Sequence, residues 1–374
     1  MNLFEKIMKV IISGGGTGGH IFPAISIANA LKNRFPNSDI LFLGAENRME
    51  MEKVPASGYK IIGLPIIGLP RKISLQIFKF LKCYFKSKKT AIKIVRNFNP
   101  DIVVGVGGYA SFPALNAAAK LKIPYVIQEQ NSYSGKSNNK LAKKANKIFV
   151  AYDNMSRFFP AEKIIKSGNP IRNDILDFQG KKEEALKFFG LNSNKKIILV
   201  IGGSLGAKTI NQSIAQNLKL IINNDYQLIW QTGKSYIEIA KQTIEKEKIT
   251  ENIFVNDFIY KMDFAYSAAD IIISRSGASS ISELCIIGKP VVLVPSPNVA
   301  EDHQTKNTLA LVNQDAAVMV KDVDAINSLV PKVLEILKNV EKTTILSKNI
   351  KKLAQPNSTE IIIDEIEKII KFVQ

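Results

Sequence analysis

The sequence predicts two doubly wound α/β domains in tandem, and three observations carry the prediction. Short β-branched runs recur along the chain, each followed by a glycine- or serine-rich turn and then by a helical pattern. The runs are continuously apolar rather than alternating, as parallel strands buried on both faces require. The series also starts twice, each time on its own glycine loop, and Gly168, Asn169 and Pro170 interrupt the pattern between the two.

In the first series KVIIS runs into GGGTGGH (strand 9–13), followed by ILFLG (40–44), DIVVGV with GGYAS (101–111) and YVIQEQN (125–131). The second series runs KIILVI with GGSLGA (196–207), YQLIWQTG (226–233), IFVNDF (253–258), DIIIS with RSGASS (270–280) and PVVLVPSP (290–297). Residues 325–340 and 358–373 read as helices. The last places Ile361, Ile362, Ile366, Ile369 and Ile370 at the spacing of one apolar face.

The 374 residues, 46% of them hydrophobic, suffice for two cores and exclude disorder or a fibrous repeat for the bulk of the chain. Cys83 and Cys285 cannot form a disulfide framework or a metal knuckle, which fits a reducing compartment. The residues before the first glycine loop carry no charged-then-apolar leader, and no apolar run approaches the ~18 residues of a membrane span. A cytosolic protein that does not span a membrane is expected. The net charge of +18 is unevenly spread. Residues 1–175 hold 27 Lys+Arg against 10 Asp+Glu (+17), and the remainder holds 24 against 23 (+1). The excess therefore belongs to one domain. Beside plain solubility it implies an anionic partner there: nucleic acid, a membrane surface or an acidic ligand.

In open α/β sheets ligands bind beyond the carboxyl ends of the strands, where loops meet helix N-termini. Four loops fall there. In the first, Gly14, Gly16 and Gly19 satisfy G-x-G-x-x-G, a pattern in which main-chain N–H groups approach phosphate oxygens. The following helix adds about half a positive charge. Read alone, this loop invites a nicotinamide enzyme with Glu46 as the ribose acid, or merely a tight turn with close helix–strand packing. The second loop, GVGGYASFPA (105–114), repeats the chemistry in the same basic half, which suits a diphosphate-bearing acceptor better than one dinucleotide. GGSLGA (202–207) offers a third cradle with Ser204 as a hydroxyl donor. RSGASSISE (275–283) is a hydroxyl-rich helix start, with Glu283 placed for vicinal ribose hydroxyls. A nucleoside diphosphate fits that face, and capping by Ser279 or Ser280 with a surface position for Glu283 is the plain alternative.

Histidine occurs only twice, and both copies fall in loops at strand ends. His20 closes GGGTGGH, and His303 lies in PSPNVAEDHQTKN (295–307). An ordinary pKa of about 6.5 makes His20 a candidate acceptor for a hydroxyl proton, with a packing or capping role as the rival. The chain has no Cys–His pair, G-x-S-x-G elbow or H-E-x-x-H helix. Asp322-Val323-Asp324 spells D-x-D ahead of helix 325–340 and reads as an N-cap rather than as a metal–diphosphate motif.

Seven stretches together resemble one family. They are GGGTGGHIFPA (14–24), GVGGYASFPALNAA (105–118), EQNS (129–132), SGNPIR (167–172), GGSLGA (202–207), SRSGASSISE (274–283) and EDHQTKN (301–307), in that family's order and spanning nearly the whole chain. The family is MurG, the GT-B fold UDP-N-acetylglucosamine transferases that complete the lipid-linked peptidoglycan precursor. The resemblance implies two Rossmann-like domains facing a central cleft. Residues 1–168 would serve acceptor and membrane, residues 169–345 the UDP-sugar, and segment 346–374 would return to the first domain. The implied reaction is an inverting, metal-independent transfer of N-acetylglucosamine to the 4-hydroxyl of undecaprenyl-diphosphoryl-N-acetylmuramyl-pentapeptide. It needs no cofactor and takes place at the cytoplasmic face of the cell membrane. The anionic membrane surface and cell-wall synthesis or division proteins are the implied further partners, and nucleic acid is not.

Site roles carry over at the matching positions. Thr17, Gly18 and Gly19 would lie close to the transferred sugar and the acceptor diphosphate, with His20 as candidate base and Gly107, Gly108 and Tyr109 as the acceptor diphosphate loop. Asn131 and Arg172 would contact the donor, and Ser204 would hold the UDP phosphates. Ile259 would meet uracil through its backbone. Ala278, Ser279, Ser280, Ile281, Ser282 and Glu283 would line the nucleotide, with Glu283 on the ribose, and Gln304 would read sugar hydroxyls. No metal ligands are implied. Three positions depart from the family pattern. Gln128-Glu129-Gln130-Asn131 stands where many members have His-Glu-Gln-Asn, so that histidine's role is not carried over. His303 stands where some have Gln, and Thr308 replaces the usual Ala.

Residues 71–96 hold nine Lys+Arg and no acid. Lys79, Lys82, Lys86, Lys89, Lys93 and Arg96 follow helical steps, beside Leu75, Phe78, Phe80, Leu81, Tyr84 and Phe85. Such a helix suits anionic headgroups; a solvated face packed by its other side is the rival. Among whole-protein rivals, a nicotinamide oxidoreductase leaves the later loops unexplained, and a nucleic-acid binder rests on charge alone. A GT-B transferase with another acceptor stays open.

Overall fold

The computed structural model describes residues 7–68, 76–203, 205–299 and 302–373. The chain up to Arg172, together with the segment from Pro356 onward, makes one compact unit, and Asn173–Gln355 makes a second. The first unit holds β1 (Lys9–Ser13), β2 (Asp39–Ala45), β3 (Lys60–Leu64), β4 (Ile102–Gly105), β5 (Tyr125–Glu129), β6 (Lys147–Val150) and β7 (Ile164–Lys166), in sheet order β3-β2-β1-β4-β5-β6-β7. The second holds β8 (Ile197–Ile201), β9 (Gln227–Gln231), β10 (Ile253–Asn256), β11 (Ile271–Ser274), β12 (Val291–Leu293) and β13 (Val318–Met319), in order β10-β9-β8-β11-β12-β13. Every strand pairing among the described residues is parallel.

Both orders reverse once. Val10 of β1 pairs with Ile40 of β2 on one side and Ile102 of β4 on the other. In the second sheet β8 is likewise flanked by β9 and β11. The loops after β1 and β4 therefore diverge at a switch point, as do those after β8 and β11. Those are the glycine loops, and such crevices are where doubly wound sheets bind ligands.

β3, β6, β7 and β13 escape the sequence reading. β3 alternates exposed and half-buried positions near the sheet edge, and β7 and β13 are edge strands of three and two residues. Those three runs are short or half-exposed and carry too little periodicity to stand out, whereas β6 is buried.

Apolar residues on alternate sides of the first sheet feed two cores. One gathers Ile11, Val103, Ile127 and Ile148; the other gathers Val10, Ile12, Ile102, Val104 and Phe149. The second core is completed by Ile362, Ile363, Ile366 and Ile370 of the closing helix Ser358–Val373. Burying each isoleucine contributes about 1.5–3 kcal/mol. Arg34 clasps the same helix through Glu360, Asp364 and Glu367. The returning segment is shorter than expected. Helix Val340–Lys352 sits in the second unit, because its Leu346 belongs to that unit's core with Trp230, Ile271 and Val333. Among the described residues no helix is long and apolar enough to cross a membrane.

Candidate active site

The chain after β1 turns through Gly14–Gly16 and enters helix Gly18–Arg34 from an extended Thr17. The Thr17 carbonyl accepts the N–H groups of His20 and Ile21. The loop is held from below by an acid the sequence reading passed over. Glu50 is fully buried, and its carboxylate accepts Gly16 N–H at 3.1 Å and Ala45 N–H at 3.0 Å. A Cβ on Gly15 would lie 2.1 Å from Glu50 Oε1, so the glycine makes room for the carboxylate. This alters the picture of an open phosphate cradle, since the Gly16 amide is already engaged. It also shows that Glu50, rather than Glu46, is the acid that meets this loop.

The loop after β4 closes over the first. Gly107 and Gly108 both adopt the left-handed region (φ +86° and +74°). A Cβ on Gly108 would fall 2.6 Å from the Gly15 carbonyl, and one on Gly107 would fall 3.0 Å from the His20 ring. Only glycine permits both conformation and approach. Tyr109, in helix Gly108–Leu121, reaches back to Gly16, whose Cβ would lie 3.4 Å from the phenol oxygen. Thr17, Gly18, Gly19, His20, Gly107, Gly108 and Tyr109 thus come together at one switch point, with His20 Nδ1 3.0 Å from Thr17 Oγ1. The imidazole is half-buried and Thr17 is exposed.

Beyond β5, Glu129 organises the next loop. Its carboxylate accepts the Asn131 N–H and side chain at 3.1 and 3.3 Å, Gly135 N–H at 3.1 Å and Asn138 Nδ2 at 2.8 Å. Burial pushes the Glu129 carboxyl above its ordinary pKa, against these four donors, which pull it down. Asn131 is thereby fixed in place. Arg172 stands over the Phe22 ring, 5.8 Å from its centroid. Gln128, Gln130 and Asn169 form a buried chain of carboxamides: Gln128 Nε2 donates to Asn169 Oδ1 at 2.8 Å, and Gln130 Nε2 donates to Gln128 Oε1 and, at 2.6 Å, to the Val106 carbonyl.

In the second unit, the loop after β8 packs on the turn after β9. Gly206 is left-handed (φ +79°), and a Cβ there would lie 2.1 Å from the Thr232 carbonyl. Asn211 donates to the same carbonyl at 2.7 Å and accepts the Trp230 indole N–H at 3.0 Å. Gln231, nearly buried, donates to the Gly203 carbonyl at 3.2 Å and accepts Ile259 N–H at 3.0 Å, which ties Ile259 to the glycine loop. Ser204 lies outside the described residues.

Helix Ala278–Ile287 starts at the end of β11. Ala278 and Ile281 are buried, while Ser279, Ser280, Ser282 and Glu283 are half-buried. Ser282 Oγ turns back to the Ala278 carbonyl at 3.1 Å, and Tyr266 Oη donates to Glu283 Oε2 at 3.1 Å. Gln304, in helix His303–Val312, accepts Ser296 N–H at 2.9 Å, and its carbonyl accepts Ser276 Oγ at 3.1 Å. Arg275 donates to the carbonyls of Val294 and Pro295 and pairs with Asp322 at 2.5 Å, which also accepts Thr209 Oγ1 at 3.0 Å. The D-x-D reading is thereby corrected. Asp322 braces two loops, and Asp324 occupies the N-cap position of helix Ala325–Lys338 without a side-chain capping bond.

On helix Gln76–Phe98, Lys79, Lys82, Lys86, Lys89, Lys93 and Arg96 are all exposed. Phe78 and Phe85 are 72% and 65% exposed, with Leu81 between them on the same stripe. Tyr84 turns inward onto Phe112, rings 6.0 Å apart. Leu75 lies outside the described residues. Among the described residues no three His, Cys, Asp or Glu side chains gather as metal ligands.

Residues 10–150 match the glycosyltransferase family 28 N-terminal domain, and residues 197–362 match the glycosyltransferase family 28 C-terminal domain. A relative from Parabacteroides distasonis is 59% identical over 97% of this chain and 98% of its own, and one from Bacteroides fragilis is 54% identical over 97% and 96%. Both are named UDP-N-acetylglucosamine–N-acetylmuramyl-(pentapeptide) pyrophosphoryl-undecaprenol N-acetylglucosamine transferase. Among solved structures, MurG from Acinetobacter baumannii superposes with a TM-score of 0.77 at 29% identity, over 96% of this chain and 99% of that one. A UDP-GlcNAc 2-epimerase from Neisseria meningitidis shares the fold at a TM-score of 0.67 and 17% identity, over 96% and 100%.

Proposed function

Since the chain belongs to the MurG family, within glycosyltransferase family 28, we propose a division of labour between its two switch points. The chain is a hexosyltransferase that moves N-acetylglucosamine from UDP-N-acetylglucosamine to the lipid-linked muramyl-pentapeptide diphosphate. The first unit takes the acceptor, and the second takes UDP.

What carries this reading is the convergence of two glycine loops on His20 at the first switch point. A hydroxyl brought there meets a proton acceptor, and the loops of Gly107, Gly108 and Tyr109 sit beside it for the acceptor diphosphate. Asn131 and Arg172 are this unit's candidate sugar contacts. In the second unit Ser204, the Gly203 loop and the helix starts at Lys208 and Ala278 meet the UDP diphosphate, Ile259 meets the base, and Glu283, steadied by Tyr266, takes the ribose. Gln304 reads the sugar. The transfer inverts: the acceptor 4-hydroxyl forms the new bond to C1 as the C1–O bond to the diphosphate breaks, and the electron pair leaves with UDP. Fixed N–H dipoles stabilise that leaving charge.

The protein acts at the cytoplasmic face of the cell membrane, attached peripherally through helix Gln76–Phe98. Its exposed Phe78–Leu81–Phe85 stripe enters the headgroup region while the flanking lysines meet anionic lipid. Cell-wall synthesis or division proteins are candidate further partners.

The test is UDP release from UDP-N-acetylglucosamine in EDTA, with and without a short-chain lipid-linked muramyl-pentapeptide diphosphate. Acceptor-dependent release is expected. Donor binding without turnover would reassign the acceptor, and release lost in EDTA would contradict a metal-independent transfer.

A further inference from the structure

We infer that Gln130 is a positioning residue for His20: its side-chain oxygen holds the imidazole with a proton on Nε2 and keeps Nδ1 as the basic atom. This rests on the reading of His20 as the base. The direction of the carboxamide chain beneath the site is forced from both ends, because a main-chain carbonyl can only accept. Asn169 Nδ2 donates to the Gln130 main-chain carbonyl at 3.2 Å, so Asn169 Oδ1 accepts from Gln128 Nε2 at 2.8 Å. Gln128 Oε1 then accepts from Gln130 Nε2, which also donates to the Val106 carbonyl at 2.6 Å. None of the three carboxamides can be turned over without setting oxygen against oxygen. Gln130 Oε1 is thereby left as an acceptor inside the fold. The residue is 2% exposed, and that oxygen has no hydrogen-bond partner among the described residues.

Buried acceptors require donors, and this one is closed to solvent, so its donor comes from inside. A single point identifies it. A Cβ on Gly107 would lie 3.2 Å from Gln130 Oε1 and 3.3 Å from His20 Nε2. Glycine at 107 keeps the space between Gln130 Oε1 and His20 Nε2 clear. The other nitrogen, Nδ1, faces outward, 3.0 Å from the hydroxyl of exposed Thr17. The transfer step follows. The acceptor hydroxyl passes its proton to Thr17 Oγ1 as the Thr17 proton moves to Nδ1. The resulting imidazolium keeps its Nε2–H on Gln130, while the new O–C1 bond forms and UDP leaves with the electron pair of the broken one.

Because the chain has only two histidines, a sample labelled with 15N in its imidazoles reports them directly, and His303→Gln assigns the signals. The expected wild-type result is His20 protonated on Nε2, with Nδ1 bare. Gln130→Met, close in shape but without an acceptor, shifts the tautomers toward a mixture and lowers kcat by about tenfold or more, with KM for UDP-N-acetylglucosamine unchanged. Where Gln130→Met fails to fold by circular dichroism, the wild-type nitrogen signals alone still decide the assignment. His20 protonated on Nδ1 in the wild type, or an unchanged tautomer in folded Gln130→Met, would overturn the hydrogen bond itself. A wild-type rate in His20→Ala would overturn the base reading instead, and the nitrogen signals separate the two failures.

Discussion

The two switch points occupy equivalent places in their sheets but are braced differently. Under the first, buried carboxylates hold the loops: Glu50 takes the Gly16 amide, and Glu129 takes those of Asn131 and Gly135. Under the second, carboxamides hold the main chain, Asn211 on Thr232, Gln231 between Gly203 and Ile259, and Gln304 on Ser296, and the one carboxylate brace, Asp322, is neutralised by its partner Arg275. A carboxylate beneath a glycine loop consumes its N–H groups and disfavours an anion above it; a carboxamide leaves the local field neutral. On the proposed reading, the Gly16 loop serves a hydroxyl and its proton, with the acceptor diphosphate kept to the neighbouring Gly107–Gly108 loop, and the second switch point serves the UDP diphosphate. The +17 charge of residues 1–175 fits the proposal that the first unit meets the anionic partners.

The sharpest way to break this contrast is Glu50→Ala. It leaves the buried Ala45 N–H unpaired, at about 1–3 kcal/mol, and releases the half-buried Gly16 N–H. Chemical denaturation should therefore show a loss of about 1–3 kcal/mol, while UDP affinity of the folded fraction, read by calorimetry, stays as in the wild type. A fall in UDP affinity would place the nucleotide at the wrong loop. Next comes Gly206→Ala, where the new Cβ meets the Thr232 carbonyl at 2.1 Å in a left-handed backbone. Strain of about 1–3 kcal/mol should weaken UDP binding about 5–150-fold. Wild-type affinity in that variant would remove the second switch point as the UDP site. The smallest effect concerns helix Gln76–Phe98, proposed to meet the membrane. Lys82→Gln should weaken binding to anionic vesicles about fivefold, the equivalent of about 1 kcal/mol per basic residue, and less at high salt. Equal binding by Lys79/Lys82/Lys86→Glu would end the membrane assignment.

Much of this architecture was legible in the sequence, for local reasons. The glycine loops follow directly on β-branched runs, and the lysine stripe repeats at helical steps, so both can be read within a window of residues. The braces could not be read that way. Glu50 is 34 positions from Gly16, and Gln130 is 24 positions from Val106. The sheet brings them together, and nothing near them in the chain marks them out. Asp322 shows the converse failure, because its neighbours suggested a helix cap while its partner Arg275 stands 47 positions away. Of the strands that went unread, β7 and β13 are too short to show a period, and β3 alternates exposed and half-buried positions.

The division between a proton-accepting first unit and a UDP-binding second unit is tested most directly by His20→Ala, with UDP binding and turnover measured on the same preparation. Losing a general base costs about 10²–10⁴ in rate, so turnover should fall within that range while UDP affinity is unchanged. Wild-type turnover, or a loss of UDP affinity matching the loss of rate, would contradict it.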